Sequence, residues 1–376
     1  MSIGFNKPYL TGKELNHIAE AHANSKLAGD GGFTALCNTW LEQRTGCHKA
    51  LLTHSCTAAL EMSAILADFQ PGDEVIMPSY TFASTANAFV LRGGVPVFID
   101  IRQDTLNMDE SLIEAAITEK TKAIVAVHYA GISCEMDAIM DIAIRYKLLV
   151  IEDAAQGVLA NYKGRALGSI GHLGCFSFHE TKNIISGEGG ALLVNDPRLV
   201  NRAEVIREKG TNRSRFFRGQ VDKYTWIDIG SSYLPGEITA AFLWAQMQEA
   251  NAITAQRVAI WNRYHDSFQS LEKSGRLRRP IVPLDCKHNA HMYYLLLRDL
   301  PDRTDFISAM SRLDINCVFH YVPLHSSPAG VRYCRAHGRF DITDSQSERL
   351  VRLPMFIELS EDQQERVVEA VRKCLT

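Results

Sequence analysis

Lys182 stands in the stretch FSFHETKN, after a run that reads as a buried strand and before the glycine-rich GEGG. The carboxyl end of a strand in an α/β sheet is the rim where such folds hold ligands. A lysine there that is partly desolvated loses basicity and becomes able to form a Schiff base with an aldehyde. The same position also suits an ordinary solvated lysine, so its neighbours decide what it means. Asp153 ends the apolar run LLVIED. It either caps the following turn or aims a carboxylate at a ring nitrogen, the partner a pyridinium needs to stay protonated and draw electrons. Gln156, three positions on, is placed to reach a phenolic oxygen on the same ring. In Thr53-His54-Ser55-Cys56-Thr57, a short strand (50–52) runs into small hydroxyl residues and then into a helix. That pattern serves plain capping, and it equally presents free backbone N–H groups and a positive dipole end to an anion. Ser177 adds a hydroxyl for the same anion, and Phe82 offers an aromatic face to a flat ring or to the core. A phosphate cradle, a ring carboxylate, an aldehyde-capturing lysine and an aromatic cover are together what pyridoxal 5'-phosphate requires.

The elements that must position these groups are legible in the middle of the chain. EVIMP (74–78), VPVFIDI (95–101), AIVAVHY (123–129) and LLVIED (148–153) are apolar runs rather than alternating ones, as strands buried on both faces are, and GCFSFH (174–179) and GALLVN (190–195) read as two further strands. Helical spacing separates the earlier ones at 57–69, 85–91, 109–116 and 136–146, which predicts right-handed crossovers and a mostly parallel sheet. Beyond Pro235 the texture changes. A long helical pattern without proline covers 238–271, then β-like MYYLLL (292–297) and NCVFHYV (316–322) mix with helical stretches near 304–313 and 361–374. The expected division is a large domain over 1–245, its N-terminal segment free to pack on the other domain, and a small α+β domain over 246–376.

Composition narrows the function classes. With 376 residues, two domains are the prior. Forty Lys and Arg against 43 Asp and Glu leave a net charge of -3, which argues against a nucleic-acid coat. No run approaches the roughly 20 apolar residues of a membrane helix, and no secretory h-region opens the chain. Nine scattered cysteines without a C-x-x-C pair suit reduced thiols in a cytoplasmic protein. No zinc-ligand spacing appears, so no metal is expected. GEGGAL and GDGGFT lack the last glycine of the dinucleotide fingerprint, against a nicotinamide dehydrogenase.

Further candidates lie outside this set. Arg213, Arg215 and Arg218, close together in TNRSRFFRG, suit either a nucleotide diphosphate or a solvated, ion-paired loop. Tyr224 and Trp226 suit a sugar or base pocket, core packing being the more ordinary fate of at least one. His320, Tyr321 and His325 in FHYVPLH, and His179 beside Lys182, offer hydrogen bonds to substrate, although a histidine in a β-run is more often structural.

SCTAALEM, QPGDEVIMPSYTFASTANAFVLRGG, VFIDI, VIEDAAQGV, GCFSFHETKN and GEGGALL, in this order, resemble the DegT/DnrJ/EryC1/StrS family of sugar aminotransferases over nearly the whole chain. The resemblance implies an aspartate-aminotransferase-like fold (type I of the pyridoxal-phosphate enzymes) and a homodimer with active sites at the subunit interface. By motif position, Lys182 is similar to the cofactor-binding lysine, Asp153 to the ring-nitrogen partner and Gln156 to the ring-oxygen contact. Thr57 and Ala58 match the phosphate-binding backbone, Ser177 its hydroxyl and Phe82 the stacking aromatic. Cys56 stands where many members have Gly. Ser232-Tyr233-Leu234 stands where many have Asn-Tyr-Arg, whose Asn reaches the phosphate from the partner subunit; Ser232 is the matching position. The implied reaction moves the amino group of L-glutamate onto a nucleotide-linked keto-sugar. REKGTNRSRFFRGQVDKYTW, DIGSSYL and VFHYVPLH resemble in particular the members that form a 4-amino-4,6-dideoxygalactose from a dTDP-4-keto-6-deoxyhexose. The gluco epimer and a 3-aminotransferase remain as alternatives. Related sugar dehydratases carry histidine in place of the lysine, and Lys182 argues against that chemistry.

Overall fold

The protein is described from a computed structural model covering residues 2–375. Its strands, in chain order, are β1 (Lys49–Thr53), β2 (Glu74–Pro78), β3 (Val95–Ile99), β4 (Thr121–Val127), β5 (Leu149–Asp153), β6 (Asn161–Tyr162), β7 (Arg165–Ala166), β8 (Leu173–Ser177), β9 (Gly190–Val194), β10 (Cys286–Lys287), β11 (Tyr294–Leu296), β12 (Arg335–Ala336) and β13 (Leu350–Arg352). Eight of them form one sheet in the order β1-β9-β8-β5-β4-β2-β3-β12. All are mutually parallel except β9, which runs antiparallel to both β1 and β8. The carboxyl ends of β1, β2, β4, β5 and β8 therefore share one rim of the sheet.

The unbroken apolar character of these strands has a direct cause. Successive residues point to opposite faces, and both faces are covered. Ile76, Val97, Ile124 and Val150 join one core with the Gly32–Thr45, Met136–Tyr146 and Glu237–Gln248 helices. Val75, Phe98, Val125 and Ile151 join the other with the Cys56–Leu66, Ala83–Val90 and Val200–Arg207 helices. A separate core lies under the C-terminal part, where the Ala250–Ser267, Leu300–Arg312 and Glu361–Leu375 helices pack around β11 and β13.

Two sequence expectations need correction. The helical pattern over 238–271 is three helices, Glu237–Gln248, Ala250–Ser267 and Gln269–Lys273, with breaks at Glu249 (φ -101°, ψ 6°) and Phe268. The first stays on the large sheet and the second enters the C-terminal core, so we propose the domain division at Glu249. NCVFHYV is not a strand: only Val318 pairs, with Arg352. The His320 carbonyl instead accepts the hydroxyl of Tyr80, and Pro323 removes a donor. The two parts are also interleaved. Ile3 bridges Ile315, and β12 extends the large sheet beside β3.

Candidate active site

A cavity of about 460 Å³ opens at the sheet rim, between the ends of β1, β5 and β8 and the C-terminal part of the chain. That volume suits a small-molecule ligand. The sequence candidates Thr57, Phe82, Asp153, Gln156, Ser177, His179, Lys182, His320 and Tyr321 all line it.

The cradle is built at the start of the Cys56–Leu66 helix. Ser55, extended at φ -163° and ψ 162°, caps it by accepting from the Ala58 N–H at 3.1 Å. The Ala58 N–H, expected to help hold phosphate, meets the Ser55 hydroxyl in this arrangement. The amides of Cys56 and Thr57, ahead of the first intrahelical acceptor, are the ones left for an anion. Gly190 explains the close seating of this turn. It lies between Thr53 of β1 and Ser177 of β8, and a Cβ on it would come within 2.4 Å of the Ser55 carbonyl carbon.

Asp153 is buried at the end of β5. Its two oxygens accept from the Thr85 hydroxyl at 2.7 Å and the Ala155 N–H at 3.2 Å. The Gln156 Oε1 accepts from the Ala130 N–H at 2.6 Å, which turns its Nε2 toward the cavity, where it donates to the Tyr321 hydroxyl at 3.2 Å. The Phe82 ring is 61% exposed on the cavity wall, so core packing does not account for it.

Lys182 follows β8 in a turn closed by its own N–H to the His179 carbonyl. Its side chain is half-buried and makes no hydrogen bond or ion pair among the described residues. Burial lowers the amine's proton affinity and the nearby Arg352 charge adds to this, while Cys56 and Asp153 oppose it. A lysine depressed in this way gives up its proton more readily and so becomes a better nucleophile. Burial likewise pushes the His320 pKa well below its ordinary value, helped by Arg352 and Lys182. His320 is thus a neutral ring, with Nδ1 3.0 Å from the Tyr129 hydroxyl.

Other candidates lie apart from this cavity. The His325 ring is held by the Ser79 hydroxyl (2.7 Å), Asp344 (3.3 Å) and the stacked ring of Phe340, a structural role that corrects its expected substrate contact. Ser232, Arg213 and Arg218 line a second cavity. Arg218 is held bidentate by Glu204 at 2.7 and 3.0 Å, which satisfies its charge within the chain, whereas among the described residues Arg213 meets the Phe217 ring and neither it nor Arg215 pairs with a carboxylate. Neither Tyr224 (53% exposed) nor Trp226 (77%) is in a core. Sequence reasoning missed Arg257, His291 and Arg352, which also line the Lys182 cavity. Their only signal was a charged or imidazole group in apolar surroundings.

The free amides at the helix start, the Asp153 carboxylate and the unpaired Lys182 fit pyridoxal 5'-phosphate: anion, ring nitrogen and aldehyde each find a partner. The mostly parallel sheet with this site at its rim is the aspartate-aminotransferase-like fold of the pyridoxal-phosphate enzymes. Within that class the chain belongs to the DegT/DnrJ/EryC1/StrS aminotransferase family, whose model matches residues 8–372. It is 35% identical to the spore coat polysaccharide biosynthesis protein SpsC of Bacillus subtilis, over 87% of this chain and 85% of that one. Among solved structures it resembles the aminotransferase TlmJ of Streptoalloteichus hindustanus (TM-score 0.90, 27% identity, 99% and 98% of the two chains). It also resembles DesV of S. venezuelae, solved in complex with a ketimine intermediate (TM-score 0.89, 27% identity, 99% and 98%). The protein is a sugar aminotransferase, and its cofactor is pyridoxal 5'-phosphate.

Proposed function

We propose that this enzyme moves the amino group of L-glutamate onto the 4-keto group of a dTDP-4-keto-6-deoxyhexose, giving dTDP-4-amino-4,6-dideoxygalactose. The observation that carries the transamination is the desolvated, unpaired Lys182 amine in one cavity with Asp153 and the helix N-terminus. The bound cofactor supplies an aldehyde to carry the amine and a ring that draws electrons from the reacting carbon. The residues do the rest. Cys56 and Thr57 amides with the Ser177 hydroxyl hold the phosphate, Asp153 holds a proton on the ring nitrogen, and Gln156 contacts the ring oxygen. Phe82 covers the ring. The Lys182 amine, once released, moves the proton between the two reacting carbons.

The sugar half of the reading is supported by similarity to SpsC, a polysaccharide-biosynthesis protein, and by the stretches around Arg213, Ser232 and His320. These resemble dTDP-4-amino-4,6-dideoxygalactose transaminase, an enzyme of surface polysaccharide synthesis such as that of enterobacterial common antigen or O-antigen. We further propose a cytoplasmic homodimer with shared sites. Phe217, Tyr224, Trp226 and Ile227 are exposed within eleven positions of chain, and Phe216 touches both Phe217 and Tyr224; exposed apolar groups gathered in this way mark an interface. Such an interface would carry Ser232, Arg213 and Arg215 toward a partner's cavity. The test is turnover of dTDP-4-keto-6-deoxyglucose with glutamate and NMR of the product. An axial 4-amine supports the reading, an equatorial one assigns the gluco epimer, and amination only at C3 of a 3-keto substrate overturns the 4-position.

A further inference from the structure

We propose that His291 is a positioning residue, the acceptor at which the Lys182 amine rests once it has been released; this rests on the reading that Lys182 first holds the cofactor and then moves the proton. His291 lies ahead of β11 in the C-terminal part of the chain, and its ring lines the Lys182 cavity. Two contacts decide which ring nitrogen carries the hydrogen. The Asn183 Nδ2 donates to the Asn289 carbonyl at 2.8 Å, which fixes the Asn183 amide with its oxygen at the other end. That oxygen, Oδ1, faces the His291 Nδ1 at 3.1 Å. An amide oxygen only accepts, so Nδ1 is the donor and Nε2 is left as a bare lone pair. Nε2 makes no hydrogen bond among the described residues, and it is not among the polar atoms sealed inside the protein. Burial and the charges of Lys182, Arg257 and Arg352 hold the ring neutral, so the lone pair is kept. The ring is also held in place from behind, because Arg257 donates to the Ala290 and His291 carbonyls at 3.1 and 2.7 Å.

A neutral amine freed inside a half-buried cavity has N–H groups that need an acceptor. The groups that could compete for it are engaged. The Asp153 oxygens accept from the Thr85 hydroxyl and the Ala155 N–H, and the Gln156 Oε1 accepts from the Ala130 N–H. The His128 ring is spent on Glu152 and the Cys134 N–H, and the His320 Nδ1 is tied to the Tyr129 hydroxyl. The His291 Nε2 is left over. Lys182 is the largest of the charges that act on this ring, and Asn183, which sets the ring's hydrogen, is the next residue in the chain. Donating one N–H to Nε2 leaves the amine's own lone pair free to take the proton that it must move.

The enzyme is crystallised with pyridoxamine 5'-phosphate, so that Lys182 is free, and bleaching of the holoenzyme's cofactor band by L-glutamate is followed in single turnover. The Lys182 Nζ is expected within about 3.2 Å of the His291 Nε2. His291→Phe removes the lone pair and should lower the limiting bleaching rate about 2- to 10-fold, with half-saturating glutamate held within about two-fold. His291→Gln returns an acceptor and should recover part of the loss; if His291→Phe does not fold, the position of Nζ in the crystal decides. An amine bonded elsewhere in the crystal, or a variant whose half-saturating glutamate rises at an unchanged limiting rate, overturns the proposal and leaves the aminotransferase reading intact. A wild-type holoenzyme that no amino acid bleaches removes that reading and this proposal with it.

Discussion

Gly190→Ala isolates the geometric basis of the phosphate cradle. Gly190 sits between β1 and β8 at the rim, opposite both Thr53 and Ser177. Its φ is not in the left-handed region, so an alanine there is unstrained in itself and the whole effect is space. The added Cβ would stand 2.4 Å from the Ser55 carbonyl carbon and 2.5 Å from the Cys56 nitrogen. Ordinary contact begins near 3.4 Å, so the turn must retreat by about 1 Å, and the obstructing atoms are backbone rather than a side-chain tip that can swing away. Overpacking of this kind costs about 1–3 kcal/mol of stability. The retreat also moves the two anion-holding amides, and losing one charge-assisted hydrogen bond is worth about 1.5–3 kcal/mol, or about 10- to 150-fold in affinity. The assay is a titration of cofactor-free protein with pyridoxal 5'-phosphate followed by cofactor absorbance, together with thermal melts of the apo form. A variant that binds the cofactor within about two-fold of wild type and melts at the same temperature would refute the claim that this glycine seats the cradle.

Three further outcomes are expected. Thr85→Val deletes the hydroxyl that donates to Asp153 at 2.7 Å and should slow glutamate-driven bleaching about 10- to 100-fold, measured in single turnover; an unchanged rate would show that the Thr85 bond does not help hold the carboxylate. In cofactor-free protein, Lys182 has its pKa lowered below the ordinary 10.5 by burial. The unfolded chain then binds the extra proton, so stability rises with pH from the lowered value up to 10.5. Lys182→Met should raise the melting temperature at pH 7 and flatten that rise, as a series of melts from pH 7 up to pH 10.5 would show; parallel curves over the whole range would contradict it. Trp226→Glu, placing a charge on the exposed aromatic patch, should shift the protein toward monomer in sedimentation velocity with loss of turnover, whereas a wild-type dimer would remove Trp226 from the interface.

The cofactor plan was legible in the chain because each of its parts is local. A strand followed by hydroxyl residues and a helix gives an anion site whatever the rest of the fold does. An apolar run ending in Asp153 or preceding Lys182 places those groups at a sheet rim once the sheet is parallel. The strands themselves were legible because burial on both faces leaves mostly apolar residues on each, as in β2, β8 and β9, which are buried at every position. The break at Glu249 was not, because helix propensity runs through it and only the choice between two cores bends the chain there.

What the sequence alone determined is the chemistry of single segments: the Cys56 helix start, Asp153, Ser177, Lys182. Which residues from distant segments meet them was decided only by the tertiary structure. Arg352 and His320 reach Lys182 because the C-terminal part closes over the rim, while His325, five residues from His320, turns away to Ser79 and Asp344. Of the amides at this helix start, the Ser55 cap takes that of Ala58. Local pattern fixes a residue's capacity, but the partnering that leaves Arg218 in an ion pair with Glu204, 14 positions back, or His325 held by Ser79, 246 positions away, exists only in the folded chain.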